Sequence, residues 1–197
     1  MKKILLLLIS VIGVQMVYAQ KGYGTVTYSA ATPLGDMTNY IDKISYRGIN
    51  AELYWHIKQN FDAGVEVGWN VFNNREDKKT YTEETRSITG VQYRYVNAVP
   101  IIAGLRWRKT GGNLQPYLGA GLGTSSMNRS TDFGLYRIVN NTWQFCVRPE
   151  GGIIYKLSDA TGATLGLKYY MNFENDDQEA QSFLTLNVGF VFGLSHW

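Results

Sequence analysis

From Gly22 onward the chain alternates apolar and polar residues with a period of two, and no stretch carries a convincing 3.6-residue period. The clearest run sets Ile49, Ala51, Leu53, Trp55 and Ile57 against Gly48, Asn50, Glu52, Tyr54, His56 and Lys58. After Gln59-Asn60 the next sets Ala63, Val65, Val67, Trp69 and Val71 against Asp62, Gly64, Glu66, Gly68 and Asn70. Two residues between the runs predict a hairpin. Leu118, Ala120 and Leu122 alternate with glycines, Trp143, Phe145, Val147 and Ile153 with Gln144, Cys146, Arg148, Glu150 and Gly152, and Ala163, Leu165, Leu167 and Tyr169 with Thr164, Gly166, Lys168 and Tyr170. The last run, Leu184, Leu186, Val188, Phe190 and Phe192, is the most regular. A weaker first run covers about 22–30. In a fourth, about 92–107, Val99, Ile101, Ala103, Leu105 and Trp107 form the apolar row, although Pro100 and Ile102 blur its facing.

Eight such runs, most of them near the 9 to 11 residues that a tilted strand needs to cross a bilayer, predict an all-β chain folded as an eight-stranded antiparallel up-and-down transmembrane β-barrel. The connections alternate long and short. Ala31 to Lys43, Asn73 to Thr89, Ser125 to Asn141 and Asn172 to Ser182 are long, and Gln59-Asn60, Arg108 to Asn113 and Ser158 to Thr161 are short. Short periplasmic turns and long outer loops are the pattern of such barrels. With that topology, Trp55, Trp107 and Tyr155 fall at the periplasmic ends of outward rows, and Trp69, Trp143 and Tyr169 at the outer ends. Amphipathic rings favour the headgroup level, so these six are the expected lipid-interface aromatics.

Composition narrows the alternatives. The 197 residues are 45% hydrophobic, 14% aromatic and 18% charged, with 21 Gly, 4 Pro and one Cys. Disordered, collagenous and disulfide-stapled classes are thereby excluded. The net charge of +3 includes Lys2 and Lys3 of an apparent leader, leaving no basic surface for nucleic acid. Met1-Lys2-Lys3, the apolar run Ile4 to Val14 and Val17-Tyr18-Ala19 predict a signal peptide over 1–19 and a barrel domain over 20–197. Cys146 is expected to be a buried strand residue.

If the apolar rows meet lipid, the polar rows fill the lumen, which in an eight-stranded barrel is just wide enough for side chains. Glu52, Glu66, Arg148, Glu150 and Lys168 fall on the inward rows, with Arg106 joining them if the fourth run faces as read. Buried charges persist when paired, so a carboxylate to Arg/Lys network closing the bore is expected. The same lining, with nine inward glycines, also suits a narrow channel for ions or small apolar solutes.

Several short motifs resemble those of the small OmpA/OmpX-like outer-membrane barrels, in particular the outer membrane protein beta-barrel domain group of Bacteroidetes-type bacteria. They are Thr32-Pro33-Leu34-Gly35-Asp36, Gly64-Val65-Glu66-Val67-Gly68-Trp69-Asn70, Val99-Pro100-Ile101, Pro116 to Gly123, and Arg148-Pro149-Glu150-Gly151. The resemblance spans about 23–197. It implies an eight-stranded barrel in the cell outer membrane, inserted by the outer-membrane assembly machinery. The terminal aromatic departs from the group's pattern, because Trp197 lies five residues past Phe192 and out of phase with the outward row.

Catalytic chemistry finds little support. The only histidines, His56 and His196, map to the periplasmic end, and Gly119, Gly121 and Gly123 lie on one strand face rather than in a phosphate loop. No catalytic residue, metal site or cofactor is therefore expected. Outer-loop residues are the remaining contact candidates: the mixed-charge stretch 73–86, and the acidic Glu174, Asp176 and Asp177 beside the headgroups. Their expected partners are outer-membrane lipid and lipopolysaccharide through divalent cations, or an extracellular ligand or protein. The expected role is a non-enzymatic structural or surface-loop binding one. If the apolar rows instead faced inward, the chain would be a soluble lipocalin-like carrier.

Overall fold

The computed structural model describes residues 22–83, 86–133, 136–176 and 178–193. The expected signal peptide, Asp177, His196 and Trp197 lie outside the described residues. Eight strands follow in order: β1 (Gly22–Leu34), β2 (Gly48–Lys58), β3 (Phe61–Glu83), β4 (Arg86–Arg108), β5 (Leu114–Phe133), β6 (Tyr136–Lys156), β7 (Thr161–Asn172) and β8 (Gln181–Phe192). Each pairs antiparallel with its neighbour, and β8 pairs with β1 to close the barrel. Where all eight strands run side by side, closure leaves no unpaired edge, which is what a sheet must achieve in a medium without hydrogen-bonding solvent.

The outward face is apolar. Leu118, Trp69, Trp143 and Phe190 are more than half exposed, whereas Arg106 and Arg148 are 1% and 0% exposed inside. This inversion of the ordinary soluble pattern belongs to a lipid-facing wall. It is the reverse of what an apolar carrier with an internal cavity needs. In β4, Ile101, Ala103, Leu105 and Trp107 are exposed and Pro100, Ile102, Arg106 and Arg108 buried, which settles the facing of the fourth run.

Two expected long loops are mostly strand. Asn73 to Thr89 continues β3 and β4, and Ser125 to Asn141 continues β5 and β6, so two residues separate each of these strand pairs in the chain. Cross-strand pairs such as Arg75 with Tyr93 and Asn128 with Asn141 carry the ladder there. The first link holds one short helix, α1 (Met37–Tyr40), entered by a turn at Gly35 with φ of +58°.

Two prolines interrupt the ladders. Between β3 and β4 the bridges stop at Val67–Ile101 and resume at Asn70–Ala98, skipping Pro100, which has no N–H to give. Between β6 and β7 the gap around Pro149 runs from Val147–Met171 to Glu150–Lys168. Gly68 sits across from Pro100, and a Cβ there would come within 2.9 Å of the proline ring.

Candidate functional site: a closed lumen beneath a plugged mouth

The inward rows of five strands converge on a cluster of three carboxylates and three cations: Glu52 of β2, Glu66 of β3, Arg106 of β4, Arg148 and Glu150 of β6, and Lys168 of β7. All are buried. Arg106 Nε and Nη2 donate to Glu150 Oε1 and Oε2 at 3.1 and 2.9 Å, the paired geometry that a guanidinium favours with a carboxylate. The same Nη2 donates to Glu52 Oε2 at 3.1 Å. Arg148 lies 3.2 Å from Glu66 Oε2 through Nε and 2.5 Å from Glu150 Oε2 through Nη1. Lys168 Nζ donates to Glu66 Oε2 at 3.1 Å and also to Glu52. Each carboxylate therefore meets two cations, and the set is formally neutral.

Tyrosines complete the layer. The Arg106 guanidinium is held 3.9 Å over the Tyr54 ring and 4.2 Å over the Tyr117 ring. Tyr54 donates to Glu150 at 3.0 Å, and Tyr170 donates to Glu66. Two glycines leave room for the Tyr117 hydroxyl: a Cβ on Gly152 would lie 2.6 Å from it, and one on Gly166 would also overlap it.

Toward the short-turn end lies a second polar layer. Asp62 accepts from Tyr23 and from Arg108 Nε, both at 3.0 Å, and its other oxygen lies 3.0 Å from His56 Nδ1. Arg108 also donates to Gln115 at 2.6 Å. His56 is thus engaged by a neighbouring carboxylate rather than standing alone in the lumen.

Toward the long-hairpin end the lumen turns apolar. Phe72, Val96, Ile102, Met127, Cys146, Tyr170 and Phe183 form a buried cluster, with Tyr170 stacked on Phe183 at 4.7 Å. Met37, which opens α1, and Ile41, which follows it, drop into the same cluster and are fully buried, so the first link stoppers the mouth from above. Tyr40 anchors it by donating to the Ser130 carbonyl at 3.1 Å, with the Arg94 and Arg129 guanidinia at 5.2 and 4.9 Å from its ring. Cys146 is buried among these side chains. In the folded barrel a water-soluble maleimide is expected to leave it unlabelled, with complete labelling after boiling in detergent; a labelled folded band on a gel would show that water reaches this depth.

The sequence-expected lumen residues Glu52, Glu66, Arg148, Glu150 and Lys168 are thus brought together, with Arg106 at their centre. Asp62, Arg108 and the inward tyrosines were missed as partners, although parity carried the signal: Arg108 is two residues from Arg106, and Tyr54, Tyr117 and Tyr170 lie on polar rows. The apolar stopper had no such signal, because Met37 and Ile41 lie in a link.

On the outer wall, Trp107 stands opposite Phe61, Trp55 opposite Ala63, and Tyr155 opposite Leu114, all beside the short turns. Trp69 stands opposite Ile49, Trp143 opposite Ser126, and Tyr169 opposite Leu184, toward the other end. Glu174 and Asp176 are exposed in the link between β7 and β8. Among the described residues no group of three His, Cys, Asp or Glu side chains is placed to hold a metal ion.

No family model and no curated protein sequence matches the chain. Solved structures do. Neisserial surface protein A is similar with a TM-score of 0.57 at 14% identity, over 87% of this chain and 96% of that one. Ail, the attachment invasion locus protein of Yersinia pestis, gives 0.50 at 13% identity, over 87% and 99%. The outer membrane protease OmpT from Escherichia coli gives 0.50 at 7% identity, over 88% and 97%. At these identities what is shared is architecture: the chain has the up-and-down barrel fold of the small OmpA/OmpX-like outer-membrane proteins.

Proposed function

We propose that the chain is a closed, non-conducting barrel of the cell outer membrane that acts as a non-enzymatic envelope protein through its outer rim. The observation that carries this reading is the double closure of the bore, by the neutral six-residue charge cluster and by the apolar stopper above it. Ionisable side chains engaged with one another offer no free nucleophile or general base to a substrate. A path for hydrated ions would have to break several buried ion pairs at once. The working surface is then the pair of tall hairpins and the acidic link. Glu174 and Asp176 meet lipopolysaccharide through divalent cations, or an extracellular protein, at the headgroup level where Trp69, Trp143 and Tyr169 anchor the barrel. Residues 1–19 direct export, and the outer-membrane assembly machinery inserts the strands.

Planar-bilayer recording of the refolded barrel tests the closure: a quiet baseline is expected, and reproducible ohmic steps would replace this reading with the channel. A deletion strain tests the chemistry. Its lipid A composition is expected to match the parent's, whereas a missing modification would assign the barrel an enzymatic role.

A further inference from the structure

Two shallow depressions on the outer wall, of about 500 and 330 Å³, share Ile49 and Trp69 and so form one groove across β2 and β3. Its lower part is floored by Ala51 and Gly68 beside Val67 and Val99, at the place where Pro100 breaks the β3–β4 ladder. A short side chain and a ladder without bridges leave a dent in an otherwise continuous wall. Its upper part ends at Arg47 and Tyr28, where β2 has not yet begun and the chain crosses from Ser45 to Gly48 as irregular backbone. The Val71 N–H donates to the Arg47 carbonyl at 2.9 Å, fixing Arg47 beside the top of the groove.

Two guanidinia on this side have no described carboxylate partner. Arg47 is exposed and forms no ion pair with a described carboxylate. Arg75, four residues beyond Val71 on the same face of β3 and so roughly 13 Å further along, likewise has none, and its guanidinium lies 5.8 Å from the Tyr93 ring. Elsewhere on the exterior, Arg137 is paired with Asp132 at 3.4 Å and Lys156 with Asp159 at 2.9 Å. An apolar trough lined by Ile49, Ala51, Val67 and Trp69, rising to a guanidinium with no described carboxylate partner at the aromatic level, matches one kind of occupant. A guanidinium forks readily onto phosphate.

We propose that this groove docks one anionic, phosphate-bearing lipid of the leaflet at the long-hairpin end, with the phosphate at Arg47, an acyl chain laid past Trp69 onto Ala51, and the headgroup extending toward Arg75. The inference rests on the membrane placement proposed above and names the lipid contact that placement leaves open.

The test uses the full-length mature barrel in phosphatidylcholine vesicles doped with either brominated phosphatidic acid or brominated phosphatidylcholine carrying the same chains. Bromine quenches tryptophan only at contact, so in a background with Trp55, Trp107 and Trp197 replaced by Phe, Trp69 reports the groove and Trp143, across the barrel, reports ordinary annular lipid. The expected result is a roughly fivefold preference of the Trp69 site for phosphatidic acid, equivalent to about 1 kcal/mol for one cation at a lipid surface. Arg47→Gln removes the preference, Trp69→Phe removes its signal, and Trp143→Phe leaves it intact. Equal quenching by the two lipids, a preference that survives in the Arg47→Gln/Arg75→Gln double variant, or one reported by Trp143 overturns the docking site while leaving the barrel reading standing. A vesicle-associated chain without the compact, heat-modifiable band on a gel overturns the membrane placement itself, and the docking with it.

Discussion

Arg106→Ala is expected to destabilise the folded barrel by about 3–5 kcal/mol, the usual cost of removing one partner from a buried ion-pair network. The side chain is 1% exposed, donates to Glu150 and Glu52, and fills the gap between the Tyr54 and Tyr117 rings. Its loss strands negative charge in a dry bore and opens a cavity between two aromatic faces. The measurement is the temperature at which the compact band on a gel gives way to the unfolded one, together with urea unfolding in detergent. Arg106→Met combined with Glu150→Gln keeps the volume and removes the stranded charge, so it is expected to recover much of the loss. A single variant as stable as the parent would mean that water reaches the cluster and screens it. Arg148→Ala and Glu66→Ala are expected to move the melting temperature in the same direction.

The second large effect is expected at the seam. Gly189 of β8 stands opposite Thr27 of β1, and a Cβ built there overlaps the Val26 carbonyl and comes within 2.6 Å of the Thr27 Cα. The obstacle is backbone, which cannot step aside as the end of a side chain can. Gly189→Val therefore has to spread the joint that closes the barrel, and the cost is expected at or above the upper end of the ~1–3 kcal/mol typical of overpacking. Gly24→Ala is the matched control on the same seam, since its Cβ meets nothing nearer than a Leu53 methyl at 3.4 Å. Refolding yield into vesicles, followed by the compact band, is expected to fall sharply for Gly189→Val and to hold for Gly24→Ala. Equal yields would mean that the seam has more slack than its register suggests.

Much of the wall was legible in the sequence because a strand's two-residue period is a strong signal when one face meets lipid and the other a narrow bore. Rows such as Leu184 to Phe192 admit only one facing, and the charges of the opposite rows then have to meet. The central ion pairs were legible for that reason, down to Arg106. The partners in the lower layer were not, because Asp62 and Arg108 border turns, and parity places them inward without saying which groups they meet. Tertiary context alone decides that Met37 and Ile41 turn down into the mouth. The tall hairpins were hidden for a related reason: beyond the lipid the outward face of a strand meets water, so exposed residues such as Asn73 and Asn141 carry the composition of loops while holding a ladder.

The strands differ in length by nearly a factor of two: β3 has 23 residues, β4 23, β5 20 and β6 21, against 13, 11, 12 and 12 for β1, β2, β7 and β8. At about 3.3 Å per residue and a tilt near 45°, twelve residues rise roughly 28 Å, about the depth of the hydrocarbon core, while twenty-three rise roughly 54 Å. The long strands are consecutive, so the surplus stands on one half of the circumference as a parapet while the other half ends level with the headgroups. The molecule therefore has a front and a back. A neighbour drifting in the plane of the membrane meets a low sill from one side and a standing screen from the other. Any partner that grips the screen also fixes the compass bearing of the whole barrel, which gives a cylinder otherwise free to spin in lipid a direction in which to face.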